Sequence, residues 1–197
     1  HNAILFSGNE HLIAENEIRK VCLNTSDAGA IYCGRDWTMG GTVIRENTIS
    51  ELGQASHHHN WAIYLDDLAS GISVVNNHIE DSPSGVLVGG GRFNQISNNT
   101  IKNCPLASIV YDARGYDDWF KQHLVDRELS LWPRLKAVPI NQAPWSERFP
   151  WLQAIHSDDP AIPRGAEIKN NQIISSAPPQ IHEIVYEYGQ VANNKEN

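Results

Sequence analysis

One phrase recurs along this chain and restricts what it can fold into: a short alternating strand, then Asn, any residue, and Ile. It stands at Leu12–Ile18, Thr42–Ile49, Ile72–Ile79, Asn94–Ile101 and Ala166–Ile173, with a sixth, incomplete copy at Val191–Asn194. The key asparagines are Asn16, Asn47, Asn77, Asn99, Asn171 and Asn194, spaced by 31, 30, 22, 72 and 23 residues. A base period of 22–23 residues with insertions accounts for all five intervals. Between the asparagines lies a second short strand: Ala30–Cys33, Ala62–Leu65, Gly85–Val88 and Ser108–Tyr111. Two or three short strands per period cannot close a core within one repeat. Stacked coil on coil at ~4.8 Å per step they can, each strand pairing in parallel with its copy one coil on. The chain is therefore expected to be all-β, a single-stranded right-handed parallel β-helix of the pectin-lyase-like kind. The repeated Asn is expected to form a stacked ladder that bonds the turns of neighbouring coils.

The repeat fails between Asp112 and Arg164. Asp117-Asp118 followed by spaced apolar residues signals a helix starting near Asp117. A stretch rich in Pro and Trp follows, and four of the six tryptophans (Trp119, Trp132, Trp145, Trp151) fall in this segment. The expected organisation is β-helix coils over 1–112, a mixed helix and loop insertion over 113–163 packed on the same domain, and further coils over 164–197. The insertion tryptophans serve as glue against the coils or as a wall of a sugar groove. The chain opens on His1 in mid-pattern and ends inside a repeat, so it reads as a piece of a longer protein.

Composition excludes several classes. Fifteen Lys and Arg against 23 Asp and Glu leave a net charge of −8, with no basic stripe for nucleic acid. No apolar run approaches the ~20 residues of a membrane span. Three cysteines (Cys22, Cys33, Cys104) without CxxC spacing are expected to be buried free thiols.

Aligning the second strands on Ile31, Ile63, Val86 and Ile109 puts Gly34, Asp66, Gly89 and Asp112 in one outward column. Asp67 follows directly, and Asp36 falls slightly further along the preceding coil. These carboxylates form a patch at the C-terminal edge of one sheet. Gly89-Gly90-Gly91 leaves a trough between Asp66 and Asp112 wide enough for a ring, and Trp37, Tyr32, Tyr64 and Trp61 offer flat faces for sugars. At the opposite strand end Asp27 aligns with His59. Arg35, Arg92 and Arg114, each just past a strand, can clamp an anionic sugar or pair with neighbouring Asp. Paired carboxylates suit glycoside hydrolysis, where one protonates the leaving oxygen and the other acts as nucleophile or base. Crowding raises one pKa of such a pair, as a general acid requires. Calcium binding and solvated turn residues are the alternatives for the same cluster. His57-His58-His59 points in alternating directions and is not expected to converge on a metal.

Together, Ser26–Tyr32, Gly34–Thr38, Ala62–Asp67, Gly89–Arg92 and the downstream Pro144-Trp145 and Phe149–Leu152 resemble family 141 of the glycoside hydrolases, over about residues 10–175. The resemblance implies a fucosidase- or xylanase-like activity on pectic side chains or xylan-like glycans. It also implies a pair of catalytic Asp, matched here by Asp27 and one of Asp66/Asp67, with Asp36 as a further candidate. Trp37, Tyr64, Trp61, His59, Arg35, Arg92 and Asp112 are the expected substrate-binding residues. A monomer acting on an oligo- or polysaccharide is expected, without cofactor or metal, secreted or periplasmic. A lyase acting by β-elimination on a uronate polymer and a non-catalytic carbohydrate-binding β-helix are the competing readings.

Overall fold

The computed structural model describes residues 1–53 and 60–196. Three six-stranded sheets run the length of the molecule, and all their pairings are parallel. The first contains Ile4–Leu5, Ala28–Gly34, Asn60–Asp66, Ser84–Val88, Ala107–Tyr111 and Gln180–Ile181. The second contains Leu12–Ala14, Val43–Arg45, Ser73–Val75, Gln95–Ser97, Glu167–Lys169 and Gln190–Ala192. The third contains Glu17–Arg19, Thr48–Ser50, His78–Glu80, Thr100–Lys102, Gln172–Ile174 and Lys195–Glu196. The chain visits the sheets in turn, so each strand pairs with its copy one coil on. Parallel crossovers of this kind wind right-handed.

Three stacks of aliphatic side chains fill the interior. Ile31, Ile63, Val86 and Ile109 rise from the first sheet, and Ile13, Ile44, Val74, Ile96 and Ile168 from the second. Ile18, Ile49, Ile79, Ile101 and Ile173 rise from the third, and all of these residues are buried. The three cysteines are also buried and free, and burial pushes the Cys104 thiol up to about 11. No helix among the described residues is long and apolar enough to cross a membrane.

The Asn ladder joins the second sheet to the third. Asn77 donates its backbone N–H and its Nδ2 to Asn99 Oδ1 at 2.9 and 3.0 Å. Asn99 does the same to Asn171 Oδ1 and caps the Val74 carbonyl at 2.9 Å. The residue before each ladder Asn has a left-handed backbone: Glu15, Glu46, Asn76, Asn98, Asn170 and Asn193 have φ between 55° and 59°. Asn tolerates that region better than most residues. Each Asn-Asn doublet of the repeat thus divides two tasks, with the first residue turning the corner and the second stacking. Asn99→Ala leaves the Asn77 N–H buried without its acceptor and strips the Val74 carbonyl of its side-chain donor. The expected loss is about 2–3 kcal/mol, read as a lower urea midpoint at unchanged m.

Between Tyr111 and Glu167 the coil is interrupted by a 3-10 turn, Arg114–Tyr116, and four short helices: Asp118–Val125, Leu131–Lys136, Trp145–Arg148 and Trp151–Ala154. The first helix begins where the Asp pair signalled. These helices form a second apolar cluster around Phe120, Leu131, Trp132, Leu135, Phe149 and Leu152, into which the coil corners insert Trp37 and Leu68. Three of the insertion tryptophans pack there, with Trp132 buried and Trp145 and Trp151 half-buried. Trp119 is 61% exposed. The insertion leaves the coil from the end of a first-sheet strand, the edge that carries the outward aspartates.

Candidate active site

Strand register builds the site. Gly34 lies opposite Asp66. Val88 lies opposite both Leu65 and Tyr111, so the next position aligns Asp66, Gly89 and Asp112. Just past the strand, Asp67 and Leu68 take left-handed backbones, with φ of 36° and 63°. That turn brings Asp67 back beside its neighbour, and its N–H donates to Asp66 Oδ1 at 2.9 Å.

Arg114, from the first turn of the insertion, reaches into the middle of the patch. Its Nη1 donates to Asp66 Oδ1 and to Asp67 Oδ1, the latter at 3.0 Å, while Nη2 meets Asp112 Oδ2 at 2.8 Å. The guanidinium lies flat over Gly89, where a Cβ would come within 2.4 Å of Arg114 Cζ. The trough left by the glycine therefore seats this guanidinium rather than a sugar ring, which corrects the expectation. Arg35, with φ of 57°, donates to Asp67 Oδ2 at 2.5 Å. The Tyr32 hydroxyl donates to Asp66 Oδ2 at 2.8 Å.

Three carboxylates here face two guanidiniums, one negative charge in excess. That excess falls on Asp66. Burial, and then the adjacent Asp67 charge, hold its pKa above the usual carboxylate range despite the hydrogen bonds it accepts from Arg114 and Tyr32. Burial pushes Asp67 the same way, but hydrogen bonds from Arg35 and Arg114 outweigh it and leave its pKa low. Arg114 keeps its charge through Asp112 and Asp67, so a proton on Asp66 neutralises the cluster without breaking the clamp. The side chains of Asp67, Asp66, Asp112 and Arg35 are 3, 13, 31 and 57% exposed, respectively. Solvent therefore reaches Asp66 and Asp112, and Asp67 serves them from beneath.

The other expected site residues separate. Asp27 stands at the opposite strand end, where the Tyr64 hydroxyl donates to its Oδ1 at 3.2 Å. Asp36 accepts from the Thr38 N–H and hydroxyl at 2.8 and 2.7 Å and pairs with Arg134 at 3.2 Å, which ties a coil corner to the insertion. Trp37 is fully buried, edge-on to Trp132 with ring centroids 4.9 Å apart, so it presents no face to a sugar. It leaves the sheet edge as expected, but the insertion covers it. Tyr64 and Trp61 are likewise buried, in an aromatic cluster on the outer face of the first sheet. Arg92 is buried and held by Asp158 and the Asp159 carbonyl. His59 and the two histidines before it lie outside the described residues.

A second residue joins the site from the insertion. The ring of Trp119 lies 5.9 Å from Arg114 Cζ, an exposed flat surface next to the guanidinium that holds the aspartates. Nothing in the repeat links it to the Asp column, because the contact depends on how the first insertion helix folds back.

The sequence model of the family described as the right handed beta helix region matches residues 1–120. No curated protein and no solved structure matches the chain.

Proposed function

Since the chain belongs to the right-handed β-helix family, whose fold occurs among pectin-lyase-like carbohydrate-active proteins, we propose that it hydrolyses glycosidic bonds of a plant or microbial polysaccharide at the outer edge of its first sheet. The observation that carries this reading is the split between adjacent carboxyls: burial and the Asp67 charge raise the pKa of Asp66, whose side chain is partly exposed, while for Asp67 beneath it burial is outweighed by hydrogen bonds from Arg35 and Arg114. Environments that raise one carboxyl and lower its neighbour single out the raised one as the general acid.

Asp66 then donates a proton to the leaving oxygen. Asp112 is the second carboxylate, orienting and deprotonating water. It stands two rungs from Asp66 across Gly89, about 9.6 Å between backbones, and the shared grip of Arg114 draws both carboxyls inward. Arg114 fills the space directly between them over Gly89, so the sugar is placed on the solvent side of the guanidinium, with its leaving oxygen toward Asp66 and the water toward Asp112. Asp67 and Arg35 are positioning residues. Asp27 and Asp36, each engaged elsewhere, have no part in the chemistry. Pectic side chains and xylan-like glycans are the substrates to test first, and a polymer too large to enter cells places the enzyme outside the cytoplasm, secreted or periplasmic. The protein acts as a monomer in this account.

The test is incubation with pectic, xylan and fucosylated glycans, scoring new reducing ends and unsaturated uronates together. Reducing ends without unsaturation are expected. Ultraviolet-absorbing unsaturated products would replace hydrolysis with elimination, and binding without product would replace it with recognition. Trp119 gives a second readout. Trp119→Ala removes a stacking platform worth about 1 kcal/mol or more, so KM should rise roughly five- to tenfold with kcat nearly unchanged and Tm unaffected. An unchanged KM would remove Trp119 from the substrate site.

A further inference from the structure

The insertion contains a cleft of about 410 Å³, apart from the aspartate patch, with Arg127, Trp132, Lys136 and Ile140 among its lining residues. Its charge balance is unusual for this protein. Of the fifteen Lys and Arg, twelve form ion pairs with carboxylates among the described residues. The other three are Arg127, Lys136 and Lys195, and the first two line this one cleft. In a chain with an excess of eight negative charges, two cations in a single concavity without carboxylate partners among the described residues mark a place where an anion is welcome. Glu128 lines the cleft as well and pairs with neither cation.

Arg127 is also held in place. Its guanidinium carbon lies 3.5 Å from the centroid of the Trp132 ring, and the Trp132 Nε1–H is fixed on the Leu124 carbonyl at 2.9 Å. Stacking of this kind immobilises the planar fork and leaves its N–H edge free for a carboxylate. Leu135, Val138, Pro139 and Ile140 supply an apolar wall, unsuited to a small, strongly hydrated oxyanion such as sulfate. The side-chain amides of Asn141 and Gln142 add polar contacts at the cleft.

We propose that this cleft binds a small amphiphilic carboxylate, its apolar body against Leu135, Val138, Pro139 and Ile140 and its carboxylate held by Arg127 and Lys136. The site is separate from the aspartate patch and does not depend on the hydrolytic reading.

The experiment is NMR titration of the whole chain with benzoate, benzamide and sulfate, following the Trp132 indole N–H and the Arg127 side-chain N–H. Benzoate is expected to shift both signals saturably, with benzamide and sulfate each at least tenfold weaker. Arg127→Gln with Lys136→Gln should weaken benzoate at least tenfold while the remaining amide spectrum keeps its dispersion. Lys195→Gln, which removes the third cation without an ion pair among the described residues, should leave affinity unchanged. Equal binding of benzamide, equal binding of sulfate, absence of any shift, or unaltered affinity in the double variant would each overturn the proposal.

Discussion

Replacing Asp66 with Asn is expected to lower kcat on the polysaccharide about 10²–10⁴-fold, the usual contribution of a positioned general acid, in a protein that folds as well as wild type. The two parts of that expectation have separate origins. Asn cannot donate a proton to a departing oxygen. It can still accept from Arg114 and the Asp67 N–H through Oδ1, so the clamp persists. Ionised Asp66 is a burden on the fold, because its folded pKa lies above its unfolded value of 3.8. Between those values the native state holds more protons than the unfolded chain, so stability falls as pH rises through the window. Asn removes this term. The variant should therefore match or exceed wild-type Tm near neutral pH, and its advantage should disappear in acid, where the wild-type carboxyl is protonated in both states. Thermal melts across pH check this directly. A variant that loses activity together with several degrees of Tm would point to a structural role instead.

The second large effect concerns Arg114. Arg114→Met keeps much of the side-chain volume over Gly89 but leaves Asp66, Asp67 and Asp112 with only Arg35 for compensation. Removing one partner of a buried ion pair costs about 3–5 kcal/mol, since the remaining charge stays desolvated. The loss should be largest near neutral pH and should shrink as the carboxyls protonate in acid, which separates it from a packing defect. Gly89→Ala should mimic it, because the added Cβ occupies the place of the guanidinium carbon. Denaturant melts of both variants at neutral and acid pH provide the check, and a pH-independent loss would assign Arg114 a packing role alone.

Much of the fold was legible in the chain because its information is periodic. The Asn-x-Ile phrase marks one corner of every coil, and the aliphatic residues recur where the three interior stacks need them. The Asp column was legible for the same reason, since aligning Ile31, Ile63, Val86 and Ile109 sets the register of Asp66, Gly89 and Asp112. What escaped the reading lacks a period. Pairing with a neighbouring Asp is one of the two roles expected of Arg114, but its reach to Asp66, 48 residues away, and its seat on Gly89 exist only once the insertion has folded back. Alternation states which side chains leave the sheet, not what covers them. Trp37 points outward from its coil and is nevertheless buried under Trp132. Of each Asn doublet the repeat announces only the stacking member, because the left-handed turn before it is a backbone property that the residue type permits without requiring.

The most direct test of the central claim is to give the Asp66→Asn variant a substrate whose leaving group needs no proton. Once the glycan panel has identified the sugar, its aryl glycoside with a strongly acidic phenol can be compared with the polysaccharide in wild type and variant. If Asp66 is the proton donor, the variant loses the polysaccharide but cleaves the activated glycoside at a rate close to wild type. Equal loss on both substrates would contradict that role and leave the aspartate cluster as the clamp between the insertion and the coils.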